Sequence, residues 1–367
     1  MLFIFLHQID AMKNVFLETH NIKNPATGFG TFNHGLVTGL SHHNFGDLTL
    51  TLCAENPGKV AQEFKDKFKY KKLIGLNRYK MFRVRDKHDL WHSVNQNLKF
   101  EPHKVSKYLL TVHDVNFAEG ISKPYTNNKK INTFVEKLNR SNAITYISNF
   151  AKEQTHKYFD VPNVPEYVIY NGNPVTFLEN TSTYKPEVPT DKPFLYSIGD
   201  FIAKKNFTAI IKMMLHVPGF NLIISGNNNK PYGEEVKQCI TDNNLQDRVF
   251  LTGKVSNQGK QYYMQHCEGF VLASVAEGFG LPPIEAMKFG KPIFLANRAS
   301  LPEIGGEHSF YWDDFDPEYM AAVFFKGFDT YNSNKDFYST EYKKRADSFN
   351  WDTAAKQYLE VYHSLLK

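Results

Sequence analysis

A chain of 367 residues, 42% hydrophobic and 22% charged, has enough apolar surface for two cores, which excludes both a disordered polyelectrolyte and a membrane-spanning bundle. Its net charge of +5 and pI near 8.7 make it only mildly basic. Three cysteines, Cys53, Cys239 and Cys267, lie far apart without metal-like spacing, so neither a disulfide framework nor a zinc site is expected and a cytoplasmic location is the natural reading.

The opening Met1-Leu2-Phe3-Ile4-Phe5-Leu6 is apolar but too short to span a bilayer, and it lacks a basic start or a small-residue cleavage pattern. Met12-Lys13-Asn14-Val15-Phe16-Leu17 reads as a second, more ordinary beginning, so residues 1–11 are expected to be an N-terminal extension outside the fold. From there short apolar runs alternate with amphipathic stretches, the pattern of repeated β-α units and parallel sheets. Strands are expected at Val15–Glu18, Leu48–Leu52, Leu109–Val112 and Ala143–Ile147. After the first comes Thr27-Gly28-Phe29-Gly30, a glycine loop before a helix, where the backbone can approach a phosphate or sugar and free amides are available. His113 and Asp114 directly follow a buried strand, and Trp91-His92-Ser93 gives a weaker strand-end signal of the same kind.

Turn formers and prolines accumulate from Asn171 to Pro189, which marks a boundary. The expected domains are 12–173, a linker at 174–192, and 193–350. The second half restarts with strands at Phe194–Gly199, Asn221–Gly226, Val249–Gly253, Phe270–Ala273 and Pro292–Ala296. A last helix, Trp351 to Leu366, carries Ala355, Tyr358, Leu359, Tyr362 and Leu366 at helical spacing.

The most informative stretch is Glu277-Gly278-Phe279-Gly280-Leu281-Pro282-Pro283-Ile284-Glu285. It turns from a buried strand into a helix with prolines at its first positions. In an open α/β sheet such a turn lies at the carboxyl end of the strands, where ligands bind. Two carboxylates there suit sugar hydroxyls, and the amides of Phe279, Gly280 and Leu281 suit an anion. A nucleotide-sugar needs both.

This pattern resembles the paired-glutamate signature of retaining glycosyltransferases with the GT-B fold, the family 4 or "group 1" class. The resemblance runs from Met12 onward and implies an α/β fold of two Rossmann-like domains facing across a cleft, with the helix at 351–367 crossing back to the N-terminal domain. It implies a metal-independent transfer, without a cofactor, of a sugar from a UDP- or GDP-sugar to a glycan or lipid-linked acceptor in cell-surface polysaccharide or lipopolysaccharide synthesis. Carried over by position, Glu277 would hold donor-sugar hydroxyls and Glu285 the ribose. Gly28 and Gly30 would face the diphosphate, Lys205 would neutralise it, and Lys254 would lie where the base is read. His113 would approach the donor sugar and acceptor, with Asp114 and His92 lining that region. The catalytic set is then Glu277, His113 and Lys205.

One position departs from the family. Asp200 stands where an arginine is usual, and an acid about 4 Å from a phosphate charge would be repelled by roughly 4 kcal/mol at an effective dielectric near 20. Asp200 is therefore expected to turn toward Lys204. The weight given to the amides after Glu277 rises accordingly. Two rival readings stay open, a sugar-nucleotide epimerase-like enzyme and a non-catalytic sugar-nucleotide-binding protein.

The charge is uneven. Between 59 and 87, lysines and arginines crowd together with Phe64, Phe68, Tyr70, Tyr79 and Phe82, a composition that fits an anionic membrane surface. No nucleic-acid motif accompanies it. A cytoplasmic protein, peripheral on the inner face of a membrane, is the resulting expectation.

Overall fold

The structure is a computed structural model describing residues 12–25, 27–121, 128–176 and 178–367. The expected extension at 1–11 lies outside the described residues. The chain divides into two compact units, one formed by the residues up to Gly172 with Asn350–Lys367, the other by Asn173–Phe349.

The first unit is built on a seven-stranded parallel sheet. Its strands are β1 (Lys13–Glu18), β2 (Leu48–Ala54), β3 (Lys69–Lys72), β4 (Leu90–Ser93), β5 (Lys107–Val112), β6 (Ala143–Tyr146) and β7 (Glu166–Val168). The order β3-β2-β1-β4-β5-β6-β7 reverses direction of growth between β1 and β4. The central strands are apolar on both faces because helices cover both, which explains why they read as unbroken runs and not as alternations. One face packs Phe16, Trp91, Leu110 and Ile144 against Phe134 and Leu138 of the helix Lys129–Arg140.

The other face receives the helices Gly28–Ser41 and Trp351–Leu366. Asn350 starts the second of these, its side-chain oxygen accepting from the amides of Asp352 and Thr353. The Trp351 indole fills space kept open by glycines. A Cβ on Gly35 would lie 2.1 Å from its Cε2, and one on Gly172 would lie 2.4 Å from its Cγ. Gly39 meets the Trp351 carbonyl in the same way, at 2.3 Å. The last helix is thus keyed into the first unit by shape.

The second unit repeats the plan with a six-stranded parallel sheet of order β10-β9-β8-β11-β12-β13. Its strands are β8 (Phe194–Ile198), β9 (Asn221–Ser225), β10 (Val249–Gly253), β11 (Gly269–Leu272), β12 (Ile293–Ala296) and β13 (Phe310–Trp312). Separate apolar clusters fill its two faces. The order reverses between β8 and β11, and that reversal is where an open sheet forms its ligand crevice. The loops leaving these two strands carry Lys205 and Glu277.

All three cysteines are buried and free. Among the described residues no helix is long and apolar enough to cross a membrane.

Candidate active site

At the reversal of the second sheet, β8 ends and Gly199 follows. A Cβ on Gly199 would sit 3.0 Å from Cε and 3.4 Å from Nζ of Lys205, so the missing side chain gives the lysine a channel across the strand end. Lys205 closes a short 3-10 turn, Ala203–Lys205, and Asn206 leaves it in the left-handed conformation to start the helix Phe207–Met213. From β11, Val275 donates its N–H to the Lys204 carbonyl at 2.9 Å, which ties the two loops together. The result is an ion pair, Lys205 Nζ to Glu277 Oε1 at 2.5 Å, with both side chains nearly buried. Burial alone would push the Glu277 carboxyl up, but the charge and hydrogen bond of Lys205, helped by Lys204, outweigh it and hold the group below its ordinary value. Glu277 is therefore a carboxylate at neutral pH.

The turn beyond Glu277 is held by Ser300, whose hydroxyl spans the Glu277 carbonyl at 3.1 Å and the Phe279 carbonyl at 2.7 Å. Gly280 takes φ +109°, a conformation that side chains rarely adopt, and starts the helix Leu281–Met287. That helix is a weaker anion site than its position promises. Pro282 and Pro283 carry no N–H, so its first turn offers the Leu281 amide and little else. Phe279 is buried against Phe349, its ring serving the core. Eight residues after Glu277, the helix brings Glu285 to the interior, where Lys260 of the helix Asn257–His266 meets its Oε1 at 2.7 Å. Lys260 had no sequence signal, because its partner lies 25 positions away on another element. Lys254, after β10, is exposed and belongs to neither ion pair.

Asp200 is solvent-exposed and pairs with Lys230 at 3.0 Å, not with Lys204 as expected. Lys230, just before the helix Pro231–Asp242, brings its ammonium to the Asp200 carboxylate from a neighbouring element, a partner 30 positions away that the sequence order hides. Asp200 and Lys205 thus have different partners, Lys230 and Glu277.

In the first unit, Gly28, Phe29 and Gly30 do not form a loop. They are the first turn of the helix Gly28–Ser41, capped by Thr27, whose Oγ1 accepts from the Gly30 amide at 3.2 Å. Gly28 is exposed with open space around it, but a Cβ on Gly30 would lie 1.8 Å from the Asn24 carbonyl oxygen. Gly28 alone thus suits close approach by a ligand, and Gly30 is required for packing.

His113 adjoins this helix start, with Phe29 and Phe32 packed edge-on against its ring at 4.9 and 4.6 Å. Its Nε2–H donates to the Val94 carbonyl at 2.9 Å, which leaves Nδ1 as the acceptor, and its backbone amide donates to Gln96 Oε1 at 3.0 Å. Burial pulls its pKa down to about 4 against the opposing effects of Val94 and Asp114, so the ring is neutral at physiological pH. Asp114 accepts from the Asn116 amide at 3.3 Å and caps the short turn that follows. Gln96, which the sequence did not flag, fixes this loop from both ends by also donating to the Asp114 carbonyl at 2.7 Å.

His92 does not line any site. It has no exposed surface, and its ring nitrogens meet Tyr362 Oη at 2.8 Å and Thr111 Oγ1 at 2.7 Å. Burial, with His113 adding to it, lowers its pKa to about 3. It is a neutral core histidine, and the expectation that it contacts an acceptor is corrected. Among the described residues no group of three or more His, Cys, Asp or Glu is placed to hold a metal ion.

Residues 180–339, nearly the whole of the second unit, match the family model described as "Glycosyl transferases group 1". With 96% of the chain superimposing at a TM-score of 0.72 on 99% of a sucrose-phosphate synthase from Thermosynechococcus elongatus, at 16% identity, the architecture is decided. The fold is GT-B, and its second unit is a group 1 glycosyltransferase domain.

Other similarities agree with that. HepE of Anabaena, solved in complex with UDP-glucose, is 16% identical with a TM-score of 0.69, over 96% of this chain and all of its own. Among curated proteins, the O-antigen chain mannosyltransferase B of Escherichia coli is 23% identical over 306 residues, which is 77% of this chain and 76% of the relative. In this glycosyltransferase domain the two glutamates of the motif are both present, and each is neutralised by a lysine from a neighbouring element.

Proposed function

We propose that the chain is a retaining, metal-independent glycosyltransferase that moves a sugar from a nucleotide-sugar to a glycan or lipid-linked acceptor in cell-surface polysaccharide synthesis. The observation that carries this reading is the Lys205–Glu277 pair at the strand reversal of a group 1 domain. A cation and a carboxylate held side by side match a sugar diphosphate, which presents charge at one end and hydroxyls at the other. HepE's complex with UDP-glucose supports a nucleotide-sugar donor, and the mannosyltransferase relative supports a polysaccharide product.

On this reading, the arriving diphosphate competes for the Lys205 ammonium and frees Glu277 to accept hydrogen bonds from the sugar. Lys205 then faces the charge that develops on the leaving phosphate, where a fixed cation in a water-poor site lowers the barrier most. Glu277 acts as a ligand of sugar hydroxyls, and the departing phosphate helps take the acceptor proton on the same face. Glu285, anchored through one oxygen by Lys260, offers the other to the ribose. His113, neutral with Nδ1 free of the Val94 bond, accepts a hydroxyl hydrogen bond without adding charge.

A thermal-shift screen of UDP-, GDP-, ADP- and dTDP-sugars tests the donor, because a ligand of the folded state raises the melting temperature. One nucleotide class should stabilise the protein, and Glu285→Ala should remove most of that shift. NMR of the product then tests the stereochemistry: a product whose anomeric configuration is opposite to the donor's would reject the retaining course. Release of free nucleotide together with an epimerised sugar, with no transfer to any acceptor, would favour the epimerase-like alternative.

A further inference from the structure

Ten large hydrophobic side chains stand exposed among the described residues, and half of them fall within nine positions: Ile74, Leu76, Tyr79, Met81 and Phe82. Their exposures run from 46% for Phe82 to 72% for Met81. They occupy the connection that leaves the edge strand β3, and the same stretch from 69 to 87 holds eight lysines and arginines against one carboxylate, Asp86. Asp86 is already paired with Lys71.

The display is built, not loose. Asn77 organises it: its Oδ1 accepts from the Ile74 amide at 2.9 Å and its Nδ2 donates to the Phe82 carbonyl at 2.7 Å. Arg78 Nε donates to the Gly75 carbonyl at 2.8 Å, and the amides of Tyr79 and Phe82 close two successive short turns. Behind the tip, Lys71, Lys72, Arg83 and Arg85 line an open depression of about 520 Å³ together with Met81 and Phe82. Cations around a hollow with an apolar rim offer a place for a phosphate group attached to a hydrocarbon.

We propose that residues 69–87 dock the protein on an anionic bilayer, with Ile74, Leu76, Tyr79, Met81 and Phe82 entering the interfacial layer and the cations holding lipid phosphates. Exposed apolar side chains this close together are unusual on a soluble monomer and mark an interaction surface. Charge selects the partner. A second copy would set one cationic face against another, which opposes a symmetric pairing. A single-stranded nucleic acid would meet the cations and stack on Tyr79 and Phe82, but it gives no place to Ile74, Leu76 and Met81. An anionic bilayer satisfies all three features at once: negative head groups, hydrocarbon below them, and a planar extent wider than the tip. The inference stands on this surface alone and is independent of the donor chemistry.

The test is co-sedimentation of the full chain with vesicles of phosphatidylcholine, with and without one-third phosphatidylglycerol, across a salt series. Binding should require the anionic lipid and weaken as salt rises. Met81→Ser with Phe82→Ser should weaken it about tenfold while leaving its salt dependence in place, because two apolar anchors are lost and no charge is changed. Lys72→Ser with Arg85→Ser should flatten the salt dependence. In a Tyr79→Trp variant, indole emission should shift to the blue on adding anionic vesicles. These positions are exposed, so the variants should melt with the parent, and circular dichroism checks that. The proposal fails if anionic vesicles do not bind at low salt or if the Met81/Phe82 variant binds as tightly as the parent. It fails equally if that variant instead abolishes a concentration-dependent dimer, or if polyuridylate binds more tightly than the vesicles do.

Discussion

At the strand reversal of the second sheet, four charged side chains are tied into two pairs, Lys205 with Glu277 and Lys260 with Glu285. At the reversal of the first, the nearby titratable rings, His92 and His113, are held neutral by burial, while hydrogen bonds to Tyr362, Thr111 and Val94 fix their orientation. The same strand order therefore supports two electrostatic strategies. Paired charges keep a carboxylate ionised in a nearly dry site and ready to exchange partners with a charged ligand. Neutral rings give fixed acceptors whose state does not change between mildly acidic and mildly basic pH, which suits hydroxyl-bearing ligands.

The largest effect should come from breaking the charged side. Lys205→Ala or Glu277→Ala should lower turnover by roughly a hundredfold to a thousandfold, the range for losing one preorganised group at a developing charge. Lys205→Ala should also cost roughly 3–5 kcal/mol of stability by leaving Glu277 buried and unpaired. Single-turnover kinetics and urea unfolding measure the two losses separately, and normal turnover in Lys205→Ala would remove the lysine from the mechanism.

The neutral side has its own signature in pH. A histidine with a folded pKa below its unfolded value binds its proton more readily in the unfolded chain, so stability is intact above about 6.5 and is lost as pH falls toward 4. With His92 near 3 and His113 near 4, each should cost roughly 3 kcal/mol by pH 4. His92→Gln should flatten that acid slope in urea midpoints measured from pH 7 to 4. An unchanged slope would show that His92 is not its source.

Between the two glycines of the first unit the contrast is steric. Gly30→Ala should destabilise by about 1–3 kcal/mol through the clash with Asn24, whereas Gly28→Ala should melt with the parent. A donor-affinity loss confined to Gly28→Ala would place a ligand at that helix start. The smallest effect is at Asp200, an exposed residue whose pair with Lys230 contributes little. Asp200→Asn should leave stability within about 0.5 kcal/mol. Asp200→Arg, which restores the charge usual in the family, should tighten donor binding a few-fold by calorimetry.

Much of this architecture was legible because buried parallel strands read as apolar runs: Leu48–Leu52, Phe194–Gly199 and Pro292–Ala296 each became a strand within a residue or two at either end. Three of the four edge strands were not, Val249–Gly253 being the exception. Lys69–Lys72 is mostly lysine, and Glu166–Val168 and Phe310–Trp312 have only three residues each, so what makes them strands is a neighbour across the sheet. The paired glutamates were visible as a local motif, but their lysine partners were not both visible: Lys205 follows its own glycine strand end, while Lys260 is a helix residue known only through Glu285. His92 misled for a similar reason. Its strand-end position was plain, but the tyrosine that encloses it arrives 270 residues later. Thr27 was the available clue that Gly28 opens a helix, since threonine is a favoured cap.

The keying of Trp351 against Gly35, Gly39 and Gly172 has a consequence for synthesis. The ribosome emits most of the first unit, then all of Asn173–Phe349, and only afterwards the helix that completes the unit it began with. The second unit can close while the first still shows an uncovered sheet face bearing His92 and Thr111. A nascent chain stalled before Asn350 should therefore expose that face to chaperones and proteases, and the order of translation runs against the order of assembly.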